Sequence, residues 1–235
     1  MNRIAEYFKQ RWFYWLAIGL LVFLLFDQFY TAPRMRVFGT HHEVETLVLD
    51  AGHGGFDGGA VSPNGVTEQE INLHVTKKVE SLAGLFGIPT ELTRKDGNAL
   101  DYEAGRSVRE NKVADIKARQ HICEQIQNPV FISIHLNKFE QSRYFGAQVF
   151  YGEKNAQSKA IAESIQAALK SGIANGNHRV AKPAGDSIYL MRTLTCPALI
   201  VECGFLSNPD DETALMQDAY QTQLAVCILA GYLQT

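Results

Sequence analysis

The sequence predicts an α/β fold: a single three-layer domain, with a mostly parallel mixed sheet and helices on both faces. Two observations lead there. Short apolar runs alternate along the chain with segments of helical period. Three of those runs, Thr46–Asp50, Val130–Ile134 and Ala198–Val201, each lead into a residue able to do chemistry: His53, His135 and Glu202. In an open parallel sheet the carboxyl ends of the strands share one edge, and ligands bind there. The composition agrees: 46% of the 235 residues are hydrophobic and 20% charged, enough for a sizeable core. A disordered or low-complexity chain is excluded.

An N-terminal hydrophobic anchor helix precedes this domain. Trp12 to Phe26 carries no charge, and Arg3, Lys9 and Arg11 come before it. Fifteen residues at about 1.5 Å each fall short of a hydrocarbon core of about 30 Å. Flanking aromatics would serve as interface anchors and make a span feasible. An uncleaved signal-anchor is favoured over a cleaved signal, because no small-x-small cleavage site follows. A buried core helix is the plainer alternative, although the stretch is apolar on every face. The expected organisation is a signal-anchor or transmembrane segment over 1–33, a tether over 34–44 and the folded domain over 45–235. The domain then lies outside the cytoplasm, membrane-anchored or secreted.

Thr46 to Asp50 reads as a buried strand, followed by the glycine-rich Gly52-His-Gly-Gly55. Thr67 with Glu70 forms the pattern of a capping box. Ile71, Val75, Val79 and Leu82 then share one helical face, and Gly84 and Gly87 mark the helix end. Pro89–Thr93 is a short strand, 106–127 a helix with a ragged start, and Val130–His135 and Ala147–Tyr151 are strands. Ala156–Lys170 is an amphipathic helix. Ser187–Met191 and Ala198–Val201 read as strands, and Asp210–Met216 and Tyr220–Leu233 as closing helices. Two connections are long, Lys95–Gly105 and Ser171–Asp186, and either is a candidate border of a substrate cleft.

If the three chemistry-bearing strands are parallel neighbours, His53, His135 and Glu202 converge. Glu68 joins them from the first turn of the helix after the glycine-rich loop, where a helix N-terminus favours its ionised form. Two imidazoles and a carboxylate make a catalytic zinc set with an open position for water. A second carboxylate is then needed to carry the proton of that water to a leaving group. The implied chemistry is metal-assisted hydrolysis of an amide. The formal charge of −3 leaves no positive excess for phosphates, so a nucleic-acid partner is not expected. Cys123, Cys196, Cys203 and Cys227 show no C-x-x-C spacing and read as small core residues. A disulfide would suit an oxidising compartment, but the sequence does not pair them.

The motifs Leu49-Asp-Ala-Gly-His-Gly-Gly55, Asp57-Gly-Gly-Ala60, Glu68 before Ile71-Asn-Leu73, Ser133-Ile-His-Leu-Asn137 and Glu202-Cys-Gly-Phe-Leu-Ser-Asn-Pro209 stand in order. Together they resemble the zinc-dependent N-acetylmuramoyl-L-alanine amidases of bacterial cell walls. The likeness covers about residues 45–234. It implies one zinc ion with ligands at His53, Glu68 and His135, a catalytic carboxylate at Glu202, and peptidoglycan as substrate. The bond implied is the amide between the lactyl group of muramic acid and L-alanine of the stem peptide. Gly146-Ala-Gln-Val-Phe-Tyr151, Ile188-Tyr-Leu-Met191 and Ser207-Asn-Pro209 are similar to the germination-specific amidases of spore formers. That likeness implies a part in spore-cortex maturation, the making of the muramic δ-lactam. Weaker expectations place Asn137 beside His135 or substrate, and Arg192 on a stem-peptide carboxylate.

Three departures from the family pattern stand out: Ala51 in place of a proline, Cys203 after the catalytic glutamate, and Ile122-Cys-Glu124 where Ala-Asn is usual after Arg119. Rival readings are a stem-peptide carboxypeptidase, a non-catalytic wall-binding protein and an enzyme awaiting an activating or recruiting protein partner. The first fits poorly, because its H-x-x-E turn is missing: the acid lies fifteen positions after His53.

Overall fold

The computed structural model describes residues 45–235. The expected anchor over 1–33 and tether over 34–44 lie outside the described residues. Among the described residues no helix is long and apolar enough to cross a membrane. Six strands and six helices make up the described domain: β1 (Thr46–Ala51), α1 (Glu68–Leu85), β2 (Thr90–Leu92), α2 (Val108–Glu124), β3 (Pro129–Asn137), β4 (Gln148–Tyr151), α3 (Gln157–Ile173), β5 (Lys182–Pro183), α4 (Tyr189–Thr193), β6 (Ala198–Phe205), α5 (Pro209–Leu215) and α6 (Asp218–Tyr232).

The sheet order is β2-β1-β3-β6-β4-β5. The first four strands are parallel, β4 runs antiparallel to β6, and β5 runs parallel to β4. The period of two in each strand sorts side chains onto the two faces. Leu47, Leu49, Ile132, Ile134, Leu199 and Val201 belong to one buried cluster, packed with residues of α1, α3 and α6 such as Val75, Ile165 and Ile228. Val48, Phe131 and Ile200 belong to the other, with Cys123 of α2 and Leu190 and Met191 of α4. This second face is the one that turns polar toward the carboxyl edge. Two positions past each apolar residue come Asp50, Ser133 and Glu202.

Three expectations need correction. Ser187–Met191 is not a strand. Ile188 N–H donates to Gly185 O at 3.1 Å to close a turn, and Arg192 N–H reaches back to Ile188 O at 3.1 Å, starting α4. Leu190, Met191 and Leu194 are all buried, a spacing that a helix can bury on one side and an alternating strand cannot. The sheet edge beside β4 is taken instead by Lys182–Pro183, inside the segment read as loop, and proline is acceptable there because an edge strand can spare a donor.

The third correction concerns the cap of α1. Thr67 is its N-cap, but its hydroxyl makes no cap bond and is buried without a partner. The orphan N–H groups of the first turn are met by the preceding loop. Glu68 N–H donates to Ala60 O at 2.9 Å and Gln69 N–H to Gly58 O at 3.2 Å. The capping box lies elsewhere: Ser107 and Glu110 exchange bonds at the start of α2, where the sequence had suggested only a ragged beginning.

Candidate metal centre

β1, β3 and β6 are adjacent and parallel, so their carboxyl ends meet. His135 and Glu202 face each other in register across β3 and β6. Glu68 enters from α1, and His53 from the turn after β1. His53 Nε2 lies 3.3 Å and His135 Nδ1 2.9 Å from the same oxygen, Glu68 Oε1. One ligand atom from each of the three residues falls within 4.8 Å of the others.

Backbone holds this group together. At Gly52 a Cβ would stand 2.3 Å from the His135 ring, so only glycine lets the ring lie against the chain there. At Gly59, with φ +71°, a Cβ would come within 2.6 Å of Glu68 Oε2 and 2.7 Å of His53 Cδ2. Glu68 is fixed by donors on both oxygens: Ala60 N–H to Oε2 at 2.8 Å, and Leu136 N–H to Oε1 at 3.0 Å with Asn72 Nδ2 at 3.2 Å.

The turn that carries His53 leaves the sheet, so its carbonyls lose their ladder partners. Two buried arginines replace them. Arg94 donates to Ala51 O at 2.8 Å and to Gly52 O at 3.0 Å. Arg119 donates to Ala51 O at 2.8 Å and to His53 O at 2.6 Å. His53 itself sits at φ +63°, in the left-handed region that non-glycine residues avoid. Arg119 is anchored in turn by Asp50 at 2.5 Å and Asp115 at 2.8 Å. Ser133 and Thr93 donate to Asp50 as well.

The electrostatics follow from this packing. Burial disfavours the imidazolium of His53, but the Asp57 and Glu68 carboxylates beside it outweigh that and lift its pKa to about 9. Burial opposes ionisation of Glu68 and Asp57 too, yet the imidazole neighbours hold both well below the usual carboxylate range. Glu202 shows the opposite balance: desolvation leads and pushes it up to about 7. Its Oε2 is buried and has no hydrogen-bond partner.

The group is two imidazoles that both reach one carboxylate oxygen, Glu68 Oε1, with the unpartnered Glu202 oxygen alongside. These residues fit a divalent zinc ion, which would replace a proton as the bridging charge. His53 Nε2, His135 Nδ1 and Glu68 Oε1 are the atoms available to it. His53 Nδ1 faces Asp57 Oδ2 at 3.0 Å, which leaves Nε2 turned to the group. Asp57 is steadied by Lys112 at 3.0 Å.

A cavity of about 270 Å³ opens over the group, walled by Phe56, Lys112, Ile116, Ile188, Tyr189 and Glu202 among others. No residue of the two long loops lines this cavity, but Tyr102 of the first packs its ring on Phe56 in the cavity wall at 5.4 Å between centroids. The first loop braces the glycine-rich turn from behind, with Gly55 N–H donating to Gly97 O at 2.7 Å. Asn137 stands beyond an irregularity in the β3–β6 register, and its carbonyl accepts from Leu206 N–H. Arg192 lies in a neighbouring depression with Glu153, Lys154 and Asp186. Neither residue joins the His–Glu group.

Asp57, Arg94 and Arg119 stand at positions that the motifs alone leave without a role. A signal for Arg119 existed: Asn111, Asp115, Arg119 and Cys123 recur every four residues and are all buried, a polar stripe on the inner face of α2. Asp57 follows His53 by four positions, a helical spacing, but the glycine-rich run between them is no helix and so does not point to the pair.

A family model described as N-acetylmuramoyl-L-alanine amidase matches residues 47–234. The chain is 31% identical to the germination-specific N-acetylmuramoyl-L-alanine amidase of Bacillus subtilis, over 96% of this chain and 94% of that protein. Among solved structures it resembles the CwlD amidase of Clostridioides difficile, solved in complex with the GerS lipoprotein. The TM-score is 0.77 and the identity 38%, over 80% of this chain and 96% of that one. The catalytic domain of the CwlV amidase from Bacillus (Paenibacillus) polymyxa aligns with a TM-score of 0.69 and 28% identity, over 81% of this chain and 97% of that one.

Proposed function

Because the chain belongs to the N-acetylmuramoyl-L-alanine amidase family and acts on peptidoglycan, we propose that His53, Glu68 and His135 hold one zinc ion and that Glu202 is the proton carrier of the reaction. The single observation that carries this reading is the convergence of three donor atoms beside an unpartnered Glu202 carboxylate oxygen. Zinc in such a site polarises a carbonyl and acidifies water.

The chain's own residues supply the rest. Glu202, raised to about 7, is poised to accept a proton from the attacking water at Oε2 and to release it to the departing alanine nitrogen. Arg119 and Arg94 keep the turn of His53 from relaxing. Asp57 fixes the His53 ring, the arrangement by which an outer carboxylate raises the basicity of a ligand. The apolar wall of Ile188, Tyr189 and Ile116 limits water over the site.

Spore-cortex maturation is the role that the germination-specific relative supports. A recruiting or activating protein partner is part of the same proposal, supported by the lipoprotein bound to the similar Clostridioides amidase. The substrate places the work outside the cytoplasm. Asn137 and Arg192 are proposed as outlying substrate contacts, beyond the cavity.

Mass spectrometry of muropeptides digested by the purified full-length protein tests the reaction. Whole stem peptides with a free N-terminal alanine are expected, their release stopped by chelator. Glu202→Gln is expected to lose about 10²-fold or more in rate while keeping its metal. Cleavage inside the stem peptide, or a near-normal rate for Glu202→Gln, would overturn the assignment.

A further inference from the structure

Four cysteines are spread over the domain, and the fold treats them unequally. Cys203 and Cys227 are buried in the cluster under α1, α3 and α6. Cys123 is buried in the cluster on the other face, and the half-buried Cys196 packs against it. The sulfurs of Cys123 and Cys196 lie 3.6 Å apart, although the residues are 73 positions apart in the chain. Among the described residues this is the pair of thiols brought into contact. The two thiols need to close by less than 2 Å to reach the bond length of about 2.0 Å.

We propose that Cys123 and Cys196 form a disulfide when the protein meets an oxidising environment, stapling α2 to the entrance of β6. Cys123 occupies the last turn of α2, whose inner face also carries Asp115 and Arg119. Cys196 lies two residues before β6, the strand of Glu202. The staple therefore ties the helix that clamps the His53 turn to the strand that carries the general base, across the apolar floor of the cavity. Peptidoglycan lies outside the cytoplasm, where disulfides form and persist.

The step is a thiol–disulfide exchange with a disulfide oxidant. Cys196, the more exposed thiol, gives up its proton and attacks one sulfur of the oxidant, which leaves as a thiol. The Cys123 thiolate then attacks the Cys196 sulfur of this mixed disulfide. The second half of the oxidant leaves as a thiol, so the two electrons lost by the cysteines reduce the oxidant.

The test uses the full-length protein and oxidised glutathione as the oxidant. Digestion combines trypsin with a glutamate-specific protease, which separates Cys196 from Cys203 at Glu202. The expected products are a cross-linked pair of peptides holding Cys123 and Cys196 and a chain lighter by two hydrogen atoms. Closing so long a loop is expected to raise the melting temperature by about 10 °C over the reduced protein. Cys196→Ala is expected to abolish the difference between oxidised and reduced melts. Free thiols at both positions, stable glutathione adducts on each, or a cross-link to Cys203 or Cys227 would overturn the proposal, as would identical melts. Because the peptide map is read on the unaltered chain, poor folding of a variant does not blunt it, and zinc content plays no part in it.

Discussion

At the scale of single residues, the site is a problem in charges held close in a partly buried pocket. Both imidazoles lie against Glu68 Oε1, and the His53 imidazolium is the form that a metal would have to deprotonate. A histidine must be neutral to ligate, and the Asp57 and Glu68 carboxylates beside His53 raise it to about 9. Its proton is therefore bound below that pH and must leave as zinc enters. Zinc affinity is expected to climb as pH rises from 6 toward 9, with about one proton released per ion at neutral pH. Calorimetry in two buffers of different ionisation enthalpy reads that proton directly. A pH-independent affinity would mean that His53 carries no proton for zinc to displace. Arg119 offers a second residue-scale test. Its guanidinium meets Asp50, Asp115 and two carbonyls at once, a geometry that lysine cannot reproduce. Arg119→Lys is expected to weaken zinc binding by about tenfold or more through the loosened His53 turn. Unchanged affinity by the same calorimetry would show that the clamp does not position the ligand.

At the scale of elements, the two helix starts are a matched contrast. Ser107 accepts from Glu110 N–H at the head of α2, and Glu110 returns the bond to Ser107 N–H. Ser107→Ala is expected to cost about 1 kcal/mol in chemical denaturation. Thr67 stands at the same position of α1, but the loop carbonyls of Gly58 and Ala60 already meet the first turn. Its hydroxyl is buried and unpaired, so Thr67→Val is expected to be neutral or slightly stabilising. Equal losses at the two sites would refute this division. The contrast also shows what a local pattern can reveal. Both segments read Ser or Thr followed three positions later by Glu, and only packing decides which pattern closes. The run Ile188–Met191 repeats the lesson. Four apolar or aromatic residues suit a strand or a helix alike, and the buried contacts of Leu190, Met191 and Leu194 settle it as α4.

At the scale of the molecule, much was legible because the chemistry sits at strand ends. β1, β3 and β6 are read from apolar runs, and once they are parallel neighbours their terminal residues must gather. What escaped were contacts between distant segments that no strand end announces, the Asp50–Arg119 pair and the edge strand Lys182–Pro183. Such contacts have no period along the chain, so neither helical nor strand patterning reveals them. The central claim is itself of this long-range kind, that residues 53, 68 and 135 share one ion. Its most direct measurement is the zinc content of the full-length protein after equilibration with metal and removal of the excess, set against His135→Ala treated alike. The account predicts one zinc per chain in the unaltered protein and almost none in the variant; a full equivalent retained by a folded His135→Ala would contradict it.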